Sequence, residues 1–131
     1  MMSSGYPCYN RSVKITIHQK KEEMQMESND FGNIVERSVK IRNLYHQLER
    51  QMHGTEWTVE EDALAFLTDA GLVGRLTMSQ QERWPSSGNT ASDLKHKLSE
   101  CIWWLIVLAK RMDIDIDQAL DEFLSKLEKQ F

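Results

Sequence analysis

Apolar residues recur every three to four positions along most of the chain, which is the period of an amphipathic α-helix. This spacing predicts four helices. They span roughly Ile34–Met52, Thr58–Met78, Ser92–Met112 and the residues that follow Asp115. Because short connections favour antiparallel neighbours, the pattern predicts an all-α, four-helix bundle-like fold.

Local signals mark the start of the second helix, the end of the first and the loop before the third. Thr58 precedes the second helix and Glu61 follows three residues later, a pair typical of a capping box. Gly54 follows the first helix at a position where a left-handed residue often ends a helix. Ser79–Thr90 contains a Trp-Pro pair and a Ser-Ser-Gly-Asn run, which predict a loop before the third helix.

Residues 1–25 differ from the rest of the chain. Val13, Ile15 and Ile17 alternate with polar residues and could form one short strand, but the chain offers no sheet for it to join. We therefore expect this segment to be disordered or to pack on a neighbouring subunit. Purine codons for residues 20–26 would spell a ribosome-binding site, so translation could instead begin at Met24 or Met26. The chain divides into residues 1–25, a disordered or non-native segment, and a helical domain over 26–131.

Composition narrows the class of protein. The chain has 131 residues, 40% of them hydrophobic, and a net charge of −4 without a basic patch, which argues against nucleic acid as a partner. Cys8 and Cys101 are too few and too far apart for a disulfide framework or a zinc site. The longest apolar run, Cys101 to Ala109, is far shorter than the ~20 residues that span a bilayer. We expect no membrane partner and a cytoplasmic location.

The middle of the third helix is apolar around its whole circumference. A helix of this kind is buried from several sides, and four short helices provide little area to cover it. The sequence therefore predicts a homodimer or higher oligomer. The residues concerned are Ile102, Trp103, Trp104, Ile106 and Val107.

Three stretches together resemble a known family. The stretch from Phe66 to Leu76 resembles a family motif L-x-E-E-x-G-E-L, and Glu100 to Leu105 resembles D-V-L-W-Y-L. Met112 to Asp115 resembles the l-G-I-D that opens the last helix. From about Met26 onward, and most clearly over residues 31–129, the chain is similar to MazG-type nucleotide pyrophosphohydrolases. The resemblance implies an all-α fold that cleaves nucleoside triphosphates to the monophosphate and pyrophosphate.

In that family, carboxylates from two helices hold Mg²⁺. An E-E-x-x-E motif on one helix faces E-x-x-D on the next, and residues three or four apart share a helix face. Mg²⁺ prefers oxygen ligands, binds substrate phosphates and activates a water. The resemblance places these positions at Thr68, Asp69, Leu72, Lys97 and Glu100. Only Asp69 and Glu100 are acidic, so they are the candidate metal ligands and Mg²⁺ binding is expected to be weak or absent.

Other residues are candidates for binding the rest of a nucleotide. Lys97, Lys126 and Lys129 are candidate phosphate-binding residues, and Trp57 and Trp84 are candidates for stacking on the base. No catalytic residue is assigned. Each candidate also has an ordinary structural interpretation: Lys97 can pair with Glu100 three residues on, and lysines at a helix end are commonly solvated.

The leading hypothesis is a MazG-like protein with lost or altered Mg²⁺-dependent hydrolysis, for which a nucleotide is a candidate ligand. One alternative is an active pyrophosphohydrolase with a rearranged site that uses Asp69, Glu100 and either Glu60 or Asp62. Another is a helical protein-interaction module that keeps only the scaffold. Fold similarity does not choose among the three.

Overall fold

The computed structural model describes residues 17–20, 30–85 and 88–131, and its regular structure is helical. Residues 17–20 form a short helical segment. The four main helices are α1 (Phe31–His53), α2 (Val59–Gln80), α3 (Thr90–Arg111) and α4 (Ile116–Glu128). The prediction of an all-α chain with four main helices is confirmed.

The ends of α1 and α2 follow from local sequence. The Asp30 carboxylate accepts a hydrogen bond from the Gly32 N–H, and Gly54 ends α1 in the left-handed region with φ 79°. At the start of α2 both bonds of the predicted capping box are present: Thr58 accepts from the Glu61 N–H, and Glu61 accepts from the Thr58 N–H. These caps satisfy backbone groups that the helices themselves leave unpaired.

The third helix begins a little earlier than its apolar pattern predicts. Asn89 is the N-cap and accepts from the Ser92 N–H, so α3 starts at Thr90 rather than at Ser92. Asp115 caps α4 by accepting from the Gln118 N–H. Since side-chain caps lie outside the apolar repeat, periodicity alone places a helix end only to within about a turn.

The third helix is the centre of the fold. It packs against α2 along much of its length, against α1 less extensively, and against α4 least. All the buried apolar residues among those described belong to α3: Trp104, Ile106, Val107, Leu108 and Ala109. The prediction that the middle of α3 is buried around its whole circumference is confirmed only in part, because the Ile102 side chain is 56% exposed.

Most of residues 1–25 lie outside the described residues. Ile17, expected as the end of a short strand, begins the helical segment instead, whereas Val13 and Ile15 lie outside the described part. The prediction that this segment is disordered or non-native stays a prediction. Within the described residues, no helix is both long enough and apolar enough to cross a membrane.

Candidate functional site

Helices α2 and α3 bring three of the five motif positions together. The Lys97 ammonium lies 2.9 Å from Asp69 Oδ1 and 2.7 Å from Glu100 Oε2. Asp69 comes from the middle of α2, while Lys97 and Glu100 lie three residues apart on one face of α3. We refer to Asp69, Lys97 and Glu100 as the Lys97 cluster.

Two further side chains contact the carboxylates of the Lys97 cluster. The Trp104 indole N–H donates to Asp69 Oδ2 at 2.9 Å, so both oxygens of this buried carboxylate are engaged. His96 Nε2 lies 3.7 Å from Glu100 Oε2. The hydrogen bonds to Glu100 and Asp69 raise the pKa of Lys97 above its usual value. Burial, followed by the two carboxylate charges, raises the pKa of the neighbouring Cys101 thiol.

The cluster does not fit Mg²⁺ in this arrangement. A lysine ammonium already contacts both carboxylates, so a metal ion would have to displace it. The two remaining motif positions supply no acid: the Thr68 hydroxyl donates to its own helix at Leu64 O, and Leu72 is 42% exposed. Across the part of the chain that the structure describes, no group of three or more His, Cys, Asp or Glu residues could hold a metal ion.

A second, more deeply buried charged group joins α1, α2 and α3. Asp62 has no solvent exposure and receives Arg42 Nη2 at 2.7 Å and Arg111 Nη1 at 2.8 Å. Arg42 Nη1 also contacts Glu49 Oε1 at 2.6 Å. The second Glu49 oxygen accepts from the Trp57 N–H at 2.9 Å, which ties the α1–α2 loop to the group.

The charges of this second group are mutually stabilised. Burial would lower the pKa of Arg42, but hydrogen bonds with Asp62 and Glu49 outweigh it and raise that pKa. Burial would likewise raise the pKa of Glu49, but hydrogen bonds from Arg42 and the Trp57 backbone lower it. The Arg42 guanidinium also lies 5.9 Å and 5.6 Å from the ring centres of Trp57 and Trp104.

Sequence reasoning missed this group. The sequence made Asp62 a candidate only as a residue of a rearranged site, whereas the structure buries it between two arginines. A signal was present: Asp62 and Asp69 are seven residues apart and therefore on one face of α2. Two aspartates at helical spacing from the apolar Phe66 indicate inward-facing charges that need partners rather than a solvated surface.

The candidate stacking residues lie at opposite ends of α2. Trp57 lines a cavity of about 380 Å³ beside α1 and α3, together with Tyr45, Trp103 and Trp104. Trp84 instead stacks on the Arg75 guanidinium, 4.0 Å from the ring centre. Arg75 is sixteen residues beyond the start of α2, about 24 Å along its axis. The two tryptophans therefore cannot both contact one base in a single chain.

The three candidate phosphate-binding lysines do not form one ion-pair group. Lys97 is held by two carboxylates, whereas Lys126 and Lys129 are exposed near the end of α4 and form no ion pair with the Lys97 cluster. Glu60, a candidate for the rearranged site, is exposed at the start of α2.

Comparison with protein-family models, with curated proteins and with solved structures found no match.

Proposed function

We propose that the chain is a MazG-like helical protein that has lost Mg²⁺-dependent hydrolysis and acts as a non-catalytic homo-oligomer. One observation carries the proposal: Lys97 joins Asp69 and Glu100 at the two acidic positions that the family resemblance assigns to metal ligands. The lysine supplies, as a fixed part of the chain, the positive charge that a bound cation would otherwise bring. The site then stabilises the α2–α3 pair without a metal.

The charge of the cluster disfavours a triphosphate at this point. One ammonium and two carboxylates leave a net charge of −1, and the ammonium already donates to both partners. A phosphate approaching Lys97 would meet two nearby like charges before it gained one hydrogen bond. Without a divalent cation to neutralise them, the carboxylates repel the substrate on which the family acts.

Exposed apolar surface supports the oligomer. Each of the four main helices exposes large apolar side chains, and α4 has no buried residue. Monomers rarely expose apolar patches much larger than a few hundred Å². Examples from the four helices are Leu48, Leu67, Ile102 and Phe123, each at least half exposed.

The test is a hydrolysis assay with a panel of nucleoside triphosphates, with and without Mg²⁺. Wild type is expected to release no pyrophosphate above background. The matched variant combines Thr68→Glu, Leu72→Glu and Lys97→Glu, which restores acids at the three non-acidic positions, and it is expected to gain Mg²⁺ binding measurable by calorimetry. Wild-type turnover of ~1 s⁻¹ or more, an ordinary enzyme rate, would refute the proposal.

A second candidate function is metal-independent nucleotide binding in the aromatic cavity. Tyr45, Trp57 and Trp103 line it, and aromatic faces stack on bases. Binding there would quench tryptophan fluorescence, and Trp57→Ala would weaken the quenching. Trp84→Ala is the matched control, because Trp84 lies at the far end of α2. Nucleosides that quench both variants and wild type equally would argue against this candidate.

A further inference from the structure

The polarity of α2 is opposite to that of an ordinary surface helix. Its inward face carries the two buried carboxylates, Asp62 and Asp69, each paired with a base from another helix. Its outward face is largely apolar and exposed, with Leu64 at 63%, Leu67 at 65% and Met78 at 43% exposure. At 100° per residue these side chains point almost directly away from Asp69. In a single chain, α2 therefore presents its leucines to solvent.

Two glycines lie on the same outward face. Gly71 and Gly74 are in the helix interior, where glycine costs roughly 0.5–1 kcal/mol relative to alanine. A Cβ placed at either position would meet nothing within 4 Å, so packing within the chain does not require glycine there. Small residues in a helix face do allow another helix to approach closely. The glycines thus match a helix that lies outside this chain.

We infer that α2 of a second copy covers this face, antiparallel to the first and related by a two-fold axis. The inference rests on the homo-oligomer of the proposed function and names its interface. If the two-fold axis crosses the outward face of α2 at the level of residue 69, Leu67 of one copy meets Gly71 of the other, and Leu64 meets Gly74. Each leucine then fits a glycine gap, four times across the interface, because a two-fold interface repeats every contact.

Charge favours a second copy over an unrelated partner. Glu60 lies in the first turn of α2 and Arg75 in its last third, both exposed. The antiparallel pairing places Glu60 of one copy opposite Met78 of the other, within one turn of Arg75. Glu60 of each copy can therefore pair with Arg75 of the other copy, and the two-fold symmetry repeats this ion pair twice per dimer. In an antiparallel pair, the partial positive charge at the N-terminus of each helix also lies beside the partial negative charge at the C-terminus of the other.

Sedimentation velocity of the full chain across a concentration series tests the interface. Leu67→Glu is expected to weaken self-association by at least about a hundredfold, because the buried leucine is lost twice per dimer. Leu67 is 65% exposed in the single chain, so circular dichroism should show an unchanged fold. Leu124→Glu, at a 46% exposed position on α4, is the control and should leave the α2 contact intact.

Three further single substitutions and one double variant test the interface even if Leu67→Glu perturbs folding. Glu60→Arg and Arg75→Glu should each weaken association, and their combination in one chain should restore it. Gly71→Ala should raise the melting temperature of the dissociated chain, because alanine favours helix, yet lower its association.

A monomeric wild type at all concentrations would overturn both the interface and the proposed oligomer. An oligomer insensitive to Leu67→Glu and to the charge reversals would overturn only the interface.

Discussion

Replacing Lys97 with methionine tests the Lys97 cluster most directly. Methionine keeps an unbranched apolar stem but removes the ammonium that contacts Asp69 and Glu100. Those two carboxylate oxygens are no more than about 5.6 Å apart, which is the sum of the two contact distances. The variant therefore leaves two like charges close together with no cation between them, and one of them belongs to a buried residue.

The expected loss of stability is about 2–3 kcal/mol. Two unit charges at that separation repel by roughly 3 kcal/mol at an effective dielectric constant of 20. Lys97 is a quarter exposed, so the loss falls between the ~0–1 kcal/mol typical of surface pairs and the ~3–5 kcal/mol of a broken buried pair. For a described part of about 100 residues this corresponds to a fall in melting temperature of roughly 8–12 °C.

Added magnesium tests whether the Lys97 ammonium takes the place of a metal ion or forms only a structural ion pair. In Lys97→Met the two carboxylates could share one divalent ion, with waters completing its shell. A dissociation constant of ~1 mM would give about 1.4 kcal/mol of stabilisation at 10 mM Mg²⁺. Thermal unfolding followed by circular dichroism should show this Mg²⁺ effect in the variant and not in wild type.

Lys95→Met is the matched control, because Lys95 is an exposed lysine on the same helix. It should change neither the melting temperature nor its dependence on Mg²⁺. Equal melting temperatures for Lys97→Met and wild type, or an equal Mg²⁺ effect in both, would refute the idea that Lys97 supplies the charge of a cation here.

Three further predictions concern stability. Asp62→Ala should cost about 3–5 kcal/mol in urea unfolding, because it removes the carboxylate that pairs with buried Arg42. Thr58→Ala should cost about 1 kcal/mol by the same measurement, through loss of the α2 cap. Stability should decline as pH falls below 6.5, because burial and then nearby arginines lower the pKa of His46, so that the unfolded chain binds the proton first. It should decline further below pH 4.5, where unfolded Glu49 is protonated before the folded side chain, and His46→Gln should remove only the first of these declines.

The helices could be predicted from sequence because their signals are local. The capping box of Thr58 and Glu61 and the left-handed Gly54 act within a few residues, and both occur where the pattern placed them. The helical content follows from apolar periodicity in the same way. The start of α3 was less accurate because the Asn89 cap lies before the apolar stripe. The exposure of Ile102 could not be foreseen, since it depends on which side of α3 its neighbours occupy.

The charged groups were only half predictable. Lys97 and Glu100 are neighbours on one helix, so their pairing follows from spacing, and the family motif placed Asp69 near them. Arg42, Asp62 and Arg111 come from three different helices, and Asp62 lies 20 residues from Arg42 and 49 from Arg111 in sequence. Their meeting depends on how the helices pack, and periodicity does not specify that arrangement. An inward-facing aspartate on α2 shows that a base is needed but not which helix provides it.

Both charged groups follow from the same property of α2. Its inward face carries Asp62 and Asp69, and a buried carboxylate is tolerated only when a cation and hydrogen bonds satisfy it. Arg42 and Arg111 meet this requirement at one point and Lys97 at the other. In a site built for catalysis, an exchangeable metal ion would satisfy the second carboxylate and would also be available to substrate. Under the proposed function, a lysine fixed to α3 satisfies the carboxylate permanently and occupies the position that an exchangeable metal ion would need.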